Sequence, residues 1–170
     1  MRPVSRVDAR HHRLPARGTP SFPVAAQRGG SPASWWLATR VLGALATLAV
    51  GAVHLQKYFK LYSAVPTIGT LFVLNFVGAT VIGLALLAPI ERVAGRLGRS
   101  AVALLAVAAI GLAATSFAFL LISEQTPLFG FMEPGYDPAG IAAARVSEIA
   151  TVVLLGAFLF ARRSQHRRSS

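Results

Sequence analysis

The chain contains no cysteine. Disulfides, thiol catalysis, cysteine-ligated zinc and iron–sulfur clusters are therefore excluded. So are the four-helix thiol oxidoreductases of membranes, which need cysteine pairs. Charge is scarce too: 14% of the 170 residues are charged, against roughly 25% in soluble domains. Acids number six and lysines two. No nucleophile–base pair, phosphate loop or metal-ligand spacing appears, and "GRLG" and "GFMEPG" are too generic to count as nucleotide loops. No complete catalytic constellation can be assembled, so the reading leans away from an enzyme, and no cofactor is assigned.

What is present is apolar surface. The chain is 54% hydrophobic, with a mean hydropathy of +0.58. A chain this short and apolar suits one unit, a membrane bundle. The net charge of +11 raises the question of nucleic acid. Position argues against it, because the arginines lie in two tails and one short linker, all beside apolar runs. That placement matches topology signals and attraction to membrane lipid headgroups.

Residues 1–34, "MRPVSRVDARHHRLPARGTPSFPVAAQRGGSPAS", have no apolar periodicity and too little burial to offset ordering entropy, which predicts a disordered basic tail. His11 and His12 lie there, a pair expected to be solvated rather than metal-bound. Four apolar runs follow, at 35–56, 65–90, 100–123 and 139–161, and a basic tail closes the chain at 162–170. The first run is about 22 residues, roughly 33 Å as a helix, enough to cross the hydrocarbon. A cleaved signal peptide is the rival reading for it, but the apolar stretch is long and "VGA" before Val53 is a poor cleavage site. Pro66 suits the first turn of the second run, where its missing N–H has no partner to lose. The expected fold is all-α: a four-helix antiparallel transmembrane bundle.

Arginine sets the expected orientation. Six lie before residue 35, three in "ERVAGRLGR" and four in the final tail, whereas "EQTPLFGFMEPGYDP" has no basic residue and three acids. By the positive-inside rule both termini are expected in the cytoplasm of a plasma-membrane protein. The stretch "HLQKYFKLYSAVPTIG" then lies at the outer side. Lys57, Tyr58, Lys60 and Tyr62 are expected there as interfacial anchors, with the helix continuing past His54 to about Tyr62. Trp35 and Trp36 are the counterparts at the inner side, and Arg40 is expected to snorkel back toward the tail.

Small residues at spacing four mark packing faces: Gly43, Thr47 and Gly51; Asn75, Ala79 and Gly83; Ala103, Gly111 and Thr115; Gly140, Ala144, Glu148 and Gly156. In a chain rich in alanine and glycine, some such spacings arise by chance. Five polar residues fall in the outer half: His54, Asn75, Glu124, Arg145 and Glu148. Each has a plain reading and a functional one. Arg145 and Glu148, three apart, can neutralise each other. Asn75 can bond between helices, His54 can bond a carbonyl, and Glu124 can be a solvated helix end. Alternatively they serve a ligand or a proton, since a charge within a span costs about 2.5–3.5 kcal/mol and is usually tolerated beside a partner or wet cavity.

The stretch "GAVHLQKYFKLYSAVPTIGTLFVLNFVGA" is similar to a family of small four-span membrane proteins of high-GC Gram-positive bacteria, with H-L, a tyrosine-rich turn and P-T-I-G-x-L-F-x-L-N in common. That resemblance covers residues 51–79 and implies topology, not activity. The span count and small-residue first helix also resemble the layout of DoxX-like membrane proteins, some of which are linked to quinone or thiol redox systems. Three functions follow. The first is a non-enzymatic module binding a partner membrane protein, a lipid, a small apolar molecule or a second copy of itself at its outer face. The second is a small proton-coupled transporter using Glu148. The third is a redox accessory using His54 at a haem or quinone; a bis-histidine haem is excluded because the other histidines lie in tails.

Overall fold

A computed structural model describes residues 32–133, 135 and 137–168. The tail expected to be disordered, with His11, His12 and its six arginines, lies outside the described residues up to residue 31. The described chain folds into four helices: α1 (Pro32–Lys60), α2 (Pro66–Leu87), α3 (Ile90–Ser123) and α4 (Pro138–Arg168). Each is long and apolar enough to cross a membrane, as expected of an integral membrane protein. Large apolar side chains face outward along them, among them Leu42, Leu74, Val81, Leu104, Val107 and Val153. In water such a surface would be a liability; against lipid tails it costs nothing.

The helices alternate in direction. Arg40 near the start of α1 meets Leu86 near the end of α2, and Lys57 near the end of α1 meets Asp137 at the start of α4. Neighbouring pairs are α1–α2, α2–α3, α3–α4 and α4–α1. The first two small-residue ridges meet in part: Gly51 lies against Ala79, and Gly83 against Leu48 and the Ala44 carbonyl, whereas Gly43 faces Leu155 of α4. The third is different. Gly111 faces nothing, and α3 buries Gly98, Val102, Ala106, Ala109 and Ala113 instead. Gly156 on α4 likewise meets nothing. At these two glycines the spacing marks no packing contact, whereas Gly140, Ala144 and Glu148 of the fourth ridge are buried.

One end of the bundle carries the start of α1 and the end of α4; the other carries the turn after α1 and the long connection before α4. We call them the tail end and the loop end. The half toward the tail end holds the packed core, with Ala44, Leu86, Val102, Ala106, Leu155 and Phe158 in contact. Arg40 does not snorkel. It is 5% exposed, and its guanidinium bonds both oxygens of Glu91 (2.7 and 2.8 Å), the Leu86 carbonyl (2.7 Å) and the Ala88 carbonyl (2.6 Å). It thus satisfies carbonyls that the end of α2 leaves without helical partners, and places a cation where the helix dipole favours one.

The "ERVAGRLGR" linker, expected as a loop, is helical. Gly95 breaks it at φ 51°, ψ −119°, a conformation open to glycine and costly for other residues. The chain folds back there, so closely that a Cβ on Gly98 would sit 2.5 Å from the Ile90 carbonyl oxygen. This return brings Glu91 under α1.

At the loop end, Tyr62–Ala64 form a 3-10 turn. The connection before α4 contains a tight hairpin, with Leu128 and Phe131 exchanging backbone hydrogen bonds of 2.7 and 3.0 Å around Phe129 and Gly130, both at positive φ. The Glu133 N–H bonds the Ser123 carbonyl at 2.8 Å, tying the connection to the end of α3.

Candidate functional site

The half toward the loop end is hollow. A cavity of about 260 Å³ lies among all four helices, roofed by Leu128, Phe131 and Glu133 of the connection. Its wall is mostly apolar, with Ile68, Leu71, Phe72, Leu112, Phe119 and Leu120 prominent. Leu74 and Phe119 line it and are also exposed at the outer surface, so its wall is one side chain thick between α2 and α3. Gly140 makes room for the stem of Lys57; a Cβ there would collide with Lys57 Cε.

A polar strip crosses the cavity. His54 Nδ1 is 2.8 Å from the Val50 carbonyl oxygen, which can only accept, so Nδ1 carries a proton. Its Nε2 lies 2.9 Å from the Ser116 hydroxyl, which donates to it when the ring is neutral. The Ser116 hydroxyl also sits beside the Glu148 carboxyl. Glu148 is 1% exposed, yet its Oε2 has no hydrogen-bond partner. Asn75, 8% exposed, likewise leaves Oδ1 without a donor. Both are acceptors and both belong to the cavity lining. A buried acceptor without a donor costs about 1–3 kcal/mol, more when charged.

The structure brings together His54, Asn75 and Glu148 of the residues expected to matter, and sets two others apart. Arg145 does not pair with Glu148. Its guanidinium bonds both oxygens of Glu124 at 2.6 and 2.5 Å, so Glu124 is a paired helix end rather than a solvated one. Positions three apart on a helix differ by about 60° in direction, enough to put Glu148 inside the bundle and Arg145 on its rim.

Two expected anchors are also placed differently. Lys57 is 4% exposed, lines the cavity and holds Asp137 at 3.2 Å. The Asp137 carboxylate is held below its ordinary range, first by the Gly140 N–H at 3.0 Å and then by Lys57. Tyr62 is buried. Its ring stacks on Phe72 (4.6 Å) and meets Phe131 edge-on (5.3 Å), and its hydroxyl donates to Glu133. Burial, then that hydrogen bond, raises its phenol above the ordinary value. Tyr58 lies half-buried against Phe59, and Lys60 is exposed. Trp35 is 57% exposed, whereas Trp36 packs on Phe158.

Ser116, Glu133 and Asp137 were not anticipated as site residues. Ser116 looked like one hydroxyl among many in a span, and the two acids counted only toward topology. Among the described residues, no group of three or more histidine, aspartate or glutamate side chains could hold a metal ion. Comparisons with protein-family models, curated proteins and solved structures find no match to this chain.

Proposed function

We propose that this integral membrane protein is a binding module for a small, largely apolar molecule with a hydrogen-bond-donating group, held in the cavity at the loop end. The observation that carries the reading is the pair of orphaned acceptors, Asn75 Oδ1 and Glu148 Oε2, buried in a mostly apolar chamber. Aromatic and aliphatic walls suit the body of such a ligand, and a hydroxyl or amine would supply the missing donor. Three of the five described acids already face a cation: Glu91 with Arg40, Glu124 with Arg145, and Asp137 with Lys57. Glu133 accepts from Tyr62 and from the Gly135 N–H, which leaves Glu148 as the carboxyl free to receive a guest. The arginine distribution supports a plasma-membrane placement with both ends in the cytoplasm and the cavity toward the outside.

The test is direct. Gently solubilised protein is extracted and its bound small molecules are identified by mass spectrometry. A donor-bearing apolar molecule is expected in the wild type and lost in Asn75→Leu/Glu148→Leu. Recovery of the same molecule from both proteins would refute the reading.

A second reading rests on the line Glu148–Ser116–His54. One proton can sit on Glu148 with a neutral imidazole, or on His54 with an ionised carboxylate, passing through the serine hydroxyl. That arrangement favours transport coupled to protonation of Glu148. Unchanged flux and pH dependence in Glu148→Gln would dispose of it.

A further inference from the structure

At the opposite end of the molecule, a second hollow of about 850 Å³ opens beneath the fold-back at Gly95. Arg40, Arg92, Arg99 and Arg162 line it, and Glu91 is the one acid in its wall. Arg40 and Glu91 neutralise each other at 2.7 Å, so four positive charges less one negative leave a net +3. Arg40 has spent its donors on Glu91 and two carbonyls. Arg92, Arg99 and Arg162 make no ion pair with any described residue. Arg162 lies within electrostatic reach of Glu91 first and then of Arg99 and Arg40; since Glu91 is already bonded to Arg40, the hollow keeps a surplus of positive charge. Such a cluster is stabilised by an anion that several guanidinium groups can share, and phosphate oxygens fit their forked geometry.

The remaining wall is apolar: Leu37, Val41, Leu86 and Phe158, with Trp36 beside them. A basic rim continuous with an apolar wall matches a molecule that is anionic at its head and hydrocarbon below it. The position agrees, because α1 carries its two tryptophans at this end, where a bilayer would place its headgroups. We infer that the hollow under the fold-back binds the phosphate of an anionic phospholipid through Arg92, Arg99 and Arg162, with the acyl chains lying along α1 and α4. The fold-back explains why the site forms. Residues 92 and 99 lie seven apart, and the return at Gly95, sealed by Gly98 against Ile90, brings both to one hollow. This site is independent of the cavity at the loop end.

The experiment is native mass spectrometry of the full chain in detergent, offered phosphatidylglycerol and phosphatidylcholine with matched acyl chains. The wild type is expected to retain phosphatidylglycerol by about tenfold over phosphatidylcholine, given the attraction of each arginine near an anionic headgroup. Arg92→Gln/Arg99→Gln/Arg162→Gln should fall to parity. Arg163→Gln/Arg167→Gln, which removes charges outside the hollow, should keep the preference. If the triple variant does not fold, Arg92→Gln/Arg99→Gln, both exposed positions, should still lose most of it. Parity in the wild type, or equal loss in the rim and control variants, would overturn the inference. Displacement of the lipid by millimolar inorganic phosphate would assign the hollow to the free anion and overturn the lipid assignment. Retention against phosphate supports the lipid.

Discussion

Arg40 at the tail end and Glu148 at the loop end are both buried, and their surroundings could hardly differ more. Arg40 gives its donors to two helix-end carbonyls and to both oxygens of Glu91, tying α1, α2 and α3 together. Glu148 has a serine beside it, a cavity in front of it and one oxygen without a donor. A buried ion whose partners are all present stiffens a fold, and removing it leaves uncompensated charge behind. A buried carboxyl with an unmet oxygen costs stability and keeps the capacity to bind something. Arg40 is therefore placed to hold the fold, and Glu148 to receive a guest.

The comparison is easiest to break at Arg40. Arg40→Ala strands Glu91 and the Leu86 carbonyl, while the Ala88 carbonyl keeps the Ile90 N–H, and should cost about 3–5 kcal/mol of stability, read as a large fall in melting temperature in detergent. A loss below about 1 kcal/mol would mean that the network is incidental. Next comes Gly95→Ala. A Cβ forced to φ 51° should cost about 1–3 kcal/mol and loosen the fold-back, measured by faster amide exchange over residues 90–99. Glu148→Leu should act in the opposite sense. Apolar replacement removes a buried acceptor whose unmet state costs about 1–3 kcal/mol, so the melting temperature should hold or rise while ligand is lost. A clear loss of stability would show that Glu148 is structural, and that the two ends are alike. Arg145→Gln removes a half-exposed pair and should cost about 0–1 kcal/mol by the same measurement. The smallest effect is expected from acid. The folded protein holds Asp137 below its ordinary pKa of 3.8, so its ionised form is favoured in the fold. That contribution is complete above pH 3.8 and is lost as pH falls through the lowered value. Melting temperature should drop slightly below pH 3.8, and Asp137→Asn should remove that component.

Much of the scaffold was legible in the residues. Apolar runs gave the helices, Pro66 opened α2 as its chemistry requires, and the ridges of α1 and α2 touch at Gly51 and Ala79. His54 and Asn75 were picked out by the cost of polar groups in lipid and do lie in one cavity. What could not be read was partner choice over long separations. Lys57 looked like a surface anchor because its partner, Asp137, is 80 residues away. Tyr62 and Glu133 are 71 apart. Arg145 had two acids in reach, and the rotation of α4, a property of the whole bundle, decided for Glu124. The helical character of 91–99 was hidden for a similar reason: a linker rich in arginine and glycine reads as a loop until Arg40 gives Glu91 something to bind.

The thin wall at Leu74 and Phe119 has a consequence for how affinity should be measured. In a bilayer those side chains would meet the acyl region, and a guest entering there would arrive by lateral diffusion rather than from solution. Its effective concentration is then set by how strongly it partitions into the bilayer, and two guests with equal contacts to His54 and Asn75 would differ in occupancy by the ratio of their partition coefficients. Titrations in detergent and in vesicles should therefore rank the same compounds differently, and the vesicle ranking is the one that tracks oiliness.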